Sequence, residues 1–93
     1  MPYLAVNFHR GATEEQWRAT AAALHPDALP EGCTHQAAGP TEDGILISTV
    51  WDSQESYRRF LDSLQPRWPV EGGLQDRPEW SRGAEVVTLT TAE

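Results

Sequence analysis

The stretch Ile45-Leu46-Ile47-Ser48-Thr49-Val50-Trp51 runs straight into Asp52-Ser53-Gln54-Glu55-Ser56-Tyr57-Arg58-Arg59-Phe60-Leu61-Asp62-Ser63-Leu64, and its hydrophobic period changes at the junction. In the first part Ile45, Ile47, Thr49 and Trp51 fall on one face and Leu46, Ser48 and Val50 on the other, the alternation of a β-strand. In the second part Tyr57, Phe60, Leu61 and Leu64 recur at i, i+3, i+4 and i+7, the stripe of an amphipathic helix. Asp52-Ser53 caps that helix, with Glu55 as the box partner of Asp52, and Pro66 stops it.

Upstream, Cys33 to Ala38 reads as a short strand closed by Gly39-Pro40 and the acidic turn Thr41-Glu42-Asp43-Gly44. It makes an antiparallel hairpin with Ile45–Trp51. Further back, Tyr3 to His9 alternates, with Leu4, Val6 and Phe8 on one face and Tyr3, Ala5, Asn7 and His9 on the other. Gly11 breaks this strand, and Thr13-Glu14-Glu15-Gln16 reads as a capping box for a helix whose buried stripe is Trp17, Ala21 and Leu24. His25-Pro26 ends that helix, since a residue before proline is pushed out of the α region. Downstream, Arg67 to Gly83 has no clear period, and Ala84 to Thr91, rich in Val and Thr, reads as the last strand.

The order β-α-β-β-α-β defines an α+β, ferredoxin-like fold: a four-stranded antiparallel sheet with two helices on one face, a single domain over 1–93. The crossovers place the first and third strands side by side in the centre, an adjacency read as parallel. The sheet's second face keeps apolar residues without cover, which predicts a homodimer packed sheet to sheet.

Composition narrows the function classes. The chain has 93 residues, 39% hydrophobic, and a formal net charge of −7. An acidic chain without clustered positive charge argues against nucleic acid as a partner. Its seven basic residues are all Arg, so a Schiff-base lysine and a P-loop are excluded. The single Cys33 rules out an internal disulfide or a CxxC pair. No apolar run is long enough to span a membrane and no signal peptide is visible, so a cytoplasmic protein is expected. No metal site is expected either, because Cys33 and His35 have no third ligand at a suitable spacing, although as i and i+2 they are read as sharing a strand face.

Several segments together, Pro30-Glu31-Gly32, His35-Gln36-Ala37-Ala38-Gly39-Pro40-Thr41, Val50-Trp51-Asp52-Ser53-Gln54-Glu55 and Phe60-Leu61, resemble the antibiotic-biosynthesis-monooxygenase-like family of dimeric α+β barrels, and within it small actinobacterial members. The resemblance covers roughly Tyr3 to Leu64 and the last strand. It implies a homodimer closing an α+β barrel, and a cofactor-independent oxidation of a small aromatic, polyketide-like substrate. A cyclase or isomerase, or a non-catalytic dimeric binding protein, are the alternatives. Trp51 and Tyr57 match an aromatic pair that lines the cavity in the oxygenases, with Ile47 where they carry a polar residue. Asn7 falls where relatives place a pocket amide, and Tyr3 and Phe60 complete the substrate-binding set. Haem degradation does not fit, since the helix tryptophan of those relatives is Phe60 here. His35, in the best-matching stretch, is the first candidate general base and His9 the second, because a neutral imidazole near pH 7 suits proton removal from a phenol or α-carbonyl carbon. Residues 67–83 are expected to form either a lid over the cavity or an arm clasping the partner.

Overall fold

The computed structural model describes residues 1–90. Its elements are β1 (Tyr3–Arg10), α1 (Glu14–Leu24), β2 (Cys33–Pro40), β3 (Gly44–Trp51), α2 (Gln54–Leu64), a short 3-10 turn (Gln65–Arg67) and β4 (Trp80–Glu85). The sheet order is β2-β3-β1-β4. Every neighbouring pair is antiparallel, β1 against β3 included, which corrects the parallel reading of that adjacency. Each helix returns the chain across the sheet, so β1 and β2 run alike, and the hairpin then reverses β3.

Local chemistry sets the helix starts. Thr13 Oγ1 accepts from Gln16 N–H at 3.1 Å and Gln16 Oε1 accepts from Thr13 N–H at 2.9 Å, the reciprocal box read from sequence. For α2 the cap is Ser53 rather than Asp52, its Oγ accepting from Ser56 N–H at 3.1 Å. Asp52 instead accepts from the Ser56 hydroxyl, and Glu55 pairs with Arg59 at 3.1 Å. Asp52 N–H also donates to Gly32 O at 2.8 Å, tying the start of β2 to the β3–α2 junction. Gly32, at φ +88°, lies so close to Ser56 that no side chain fits there.

β3 buries the predicted face: Ile45, Ile47, Thr49 and Trp51 are buried, while Leu46 is exposed. Trp17 of α1 packs on Ile45 and Ile47, and Tyr57 and Phe60 of α2 pack on Trp51, so both helices cover this one face. Leu61, read as part of the α2 stripe, is 42% exposed. The opposite face carries Leu4, Val6 and Phe8 beside Val50, Ser48 and Leu46. No helix of the described residues is long and apolar enough to cross a membrane.

The final strand is displaced from its expected position. β4 begins at Trp80 and ends at Glu85, whereas the Val- and Thr-rich run beyond it leaves the sheet, with Val87 90% exposed. Thr91, the expected strand end, lies outside the described residues. Pairing with β1 from Phe8↔Trp80 to Tyr3↔Glu85 overrides intrinsic β preference. After Val86 N–H donates to Pro2 O, Pro2 has no N–H to return. Before β4, Leu74 is 2% exposed inside the Ile45–Ile47 core, and its N–H donates to Thr20 Oγ1 at 2.8 Å. Trp68 packs against the same core. The middle of the 67–83 segment is thus held by its own chain.

Candidate functional site

Antiparallel neighbours directly opposite one another share a face, so the β1–β3 register sorts the candidate residues. Tyr3 faces Trp51, Asn7 faces Ile47 and His9 faces Ile45, all on the helix side. Over them, α2 brings Tyr57 and Phe60. The ring centroids of Trp51 lie 5.4 Å from Tyr57 and 5.1 Å from Phe60, and Tyr3 lies 5.7 Å from Tyr57. Asn7 Nδ2 donates to Tyr57 Oη at 3.3 Å. Five of the seven candidates, Tyr3, Asn7, Trp51, Tyr57 and Phe60, therefore meet in one cluster. Trp51 is 1% exposed and its indole N–H donates to Thr49 Oγ1 at 2.7 Å, which makes it the backing of this cluster rather than its open surface.

The two histidines separate. His9 is on the helix side, two residues along β1 from Asn7, but its ring lies 6.3 Å from Trp68 and beside the backbone of Asp76. Burial holds its pKa below the ordinary histidine value, against an opposing contribution from the Asp76 backbone. His35 does not join the cluster. The β2–β3 register shifts between Cys33↔Trp51 and His35↔Val50, so an extra residue, Thr34, turns His35 to the outer face. That corrects the reading of Cys33 and His35 as sharing a face. His35 is exposed, with Nδ1 2.9 Å from Thr34 Oγ1. Burial pushes the Cys33 thiol up, the opposite of a reactive thiolate.

Two residues of the cluster were not anticipated. Ser81 lies directly across from Asn7 in the β1–β4 register, and its hydroxyl donates to Asn7 Oδ1. Gly83 lies across from Ala5, where the Tyr3 ring occupies the space a Cβ would need. Neither has a local signature, since both belong to a stretch without period; only a correct β4 register would have revealed them.

Burial raises the Tyr57 phenol, opposed by the Asn7 hydrogen bond and reinforced by Tyr3. The result is an aromatic wall edged by a neutral hydroxyl and an amide N–H, a combination suited to gripping a flat ring and donating to a negative oxygen upon it. A cleft of about 80 Å³ lies beside His9, lined also by Gln16, Leu74 and Asp76. A larger one, about 280 Å³, lies between α1 and the end of β2 and touches none of the candidates. Among the described residues no group of three or more His, Cys, Asp or Glu is placed to hold a metal ion.

Fold and cluster together define a ferredoxin-like α+β domain with a polar-edged aromatic cluster between sheet and second helix. The chain shares its fold with the crystal structure of a protein provisionally named an antibiotic biosynthesis monooxygenase from Chloroflexus aurantiacus J-10-fl, at a TM-score of 0.66 and 23% identity over 98% of each chain. No family model and no curated protein matches the sequence.

Proposed function

We propose that the protein is a cytoplasmic homodimeric enzyme of the monooxygenase-like kind, oxidising a small aromatic, polyketide-like substrate without a bound cofactor. The observation that carries the reading is the convergence of Asn7, Tyr57, Tyr3, Trp51 and Phe60 on one side of the sheet. The shared fold with the Chloroflexus protein supports the class of chemistry without defining a substrate.

In this reading the substrate ring lies against Tyr3, Tyr57 and Phe60. A substrate that reaches past Asn7 brings its acidic carbon or phenol toward His9, which lies outside the cluster two residues along β1 and is the candidate proton acceptor, while the donors at Tyr57 and Asn7 favour the resulting oxyanion. The substrate anion then reduces dioxygen itself. For an anthrone, the methylene loses two hydrogens, one oxygen atom enters as the new carbonyl and the other leaves as water. The outer sheet face, with Leu46 and Trp80 each 38% exposed, supports closure of a barrel by a second copy.

Dioxygen uptake by metal-free protein against a panel of anthrones and hydroquinones tests this directly. Uptake above the uncatalysed rate, reduced at least tenfold in Tyr57→Phe and in His9→Gln, is the expected result. Uptake no faster than buffer for every compound would reject the oxygenase. Turnover without oxygen would then identify a cyclase, and tryptophan quenching without product a binding protein.

A further inference from the structure

We propose that Ser81 is a positioning residue: by occupying the acceptor end of the Asn7 amide it turns the donor end onto Tyr57 and leaves the Tyr57 hydroxyl proton to donate to the ligand. The proposal rests on reading the aromatic cluster as a substrate site. An asparagine side chain has one end that accepts and one that donates. Ser81 stands directly opposite Asn7 in the β1–β4 register, and its Oγ–H donates to Asn7 Oδ1. With Oδ1 engaged, Nδ2 faces Tyr57 and donates to its oxygen at 3.3 Å. The Tyr57 proton has no acceptor among the described residues. The chain of donors therefore runs one way, from Ser81 through Asn7 to Tyr57 and outward, and each bond polarises the next.

Ser81 is exposed at the sheet edge and its hydroxyl bonds Asn7, so its effect is exerted through Asn7. If Ser81 is removed, Oδ1 loses its partner. The amide is then free to turn and accept the Tyr57 proton, which withdraws that proton from a substrate oxyanion. The same turn takes an N–H away from the phenolate oxygen, so ionisation of Tyr57 reports the orientation with no substrate present.

The experiment is an NMR titration of the intact protein labelled at the tyrosine ring carbon bearing the hydroxyl, with the Tyr57 signal assigned by Tyr57→Phe. Ser81→Ala is expected to raise the Tyr57 pKa and Ser81→Thr to keep it at the wild-type value. Asn7→Leu is expected to raise it as well, and in that background Ser81→Ala adds nothing further. A Tyr57 titration identical in wild type and Ser81→Ala overturns the proposal, as does a Ser81→Ala shift that persists without Asn7. With an active substrate, Ser81→Ala should lose roughly fivefold in kcat/KM, the worth of about one hydrogen bond, and Ser81→Thr should restore it. A Tyr57 shift without any dioxygen uptake rejects the oxygenase and keeps the positioning role. Uptake with an unshifted Tyr57 does the reverse.

Discussion

His9 shows how one buried side chain links stability to pH. Its ring lies on the helix side of β1 against Trp68, where burial favours the neutral form. The unfolded chain therefore binds the proton more readily than the native one between the lowered native pKa and the ordinary value near 6.5, so native stability falls as pH drops through that window. His9→Gln should flatten the dependence of denaturation midpoint on pH below about 6.5; an unchanged slope would show that other groups produce it. In the proposed reaction the same group gives kcat/KM an acid limb below about 6.5, absent in His9→Gln. Gly83 is a second case. The Tyr3 ring lies where a Cβ would be, so Gly83→Ala must displace the ring from β4 and change its packing on Tyr57. Near-ultraviolet circular dichroism should change while far-ultraviolet signal holds. Unaltered aromatic signal would mean that β4 itself yields instead.

At the scale of elements, the caps and the packed connection can be weighed against each other. Ser53→Ala removes the cap bond to Ser56 N–H and should cost about 1 kcal/mol in urea denaturation. Leu74→Ala empties a position in the Ile45–Ile47 core and should cost about 2–5 kcal/mol, although Leu74 sits in a connection without regular structure. If Leu74→Ala proved as mild as Ser53→Ala, the segment would be lying on the core rather than completing it. Burial magnitude, not secondary structure, sets this ranking. The capping box at Thr13 and the two-residue period of β3 were legible because both act within a few neighbouring residues. Trp80 to Glu85 was not legible as a strand, since its pattern has little intrinsic β preference and its partner lies more than seventy positions away.

For the whole molecule, the helix-free face of the sheet is where the proposed homodimer packs. Leu46 stands exposed there on β3, so replacing it leaves the helix-side core intact. Leu46→Asp should convert the proposed homodimer to a folded monomer in sedimentation equilibrium. A wild-type chain already monomeric at high protein concentration would reject the dimer. The sequence determined the number and kind of the main elements, the buried face of β3 and the first helix cap, because period and capping are local properties of the chain; the residues of the aromatic cluster were named only through the family resemblance. The tertiary structure alone decided which residues stand opposite one another. The Thr34 bulge separates His35 from Trp51, the antiparallel β1–β3 pairing sets Asn7 beneath Tyr57, and the β4 register brings Ser81 to Asn7. Register depends on hydrogen-bond ladders between distant segments, and a shift of one residue turns every side chain to the other face.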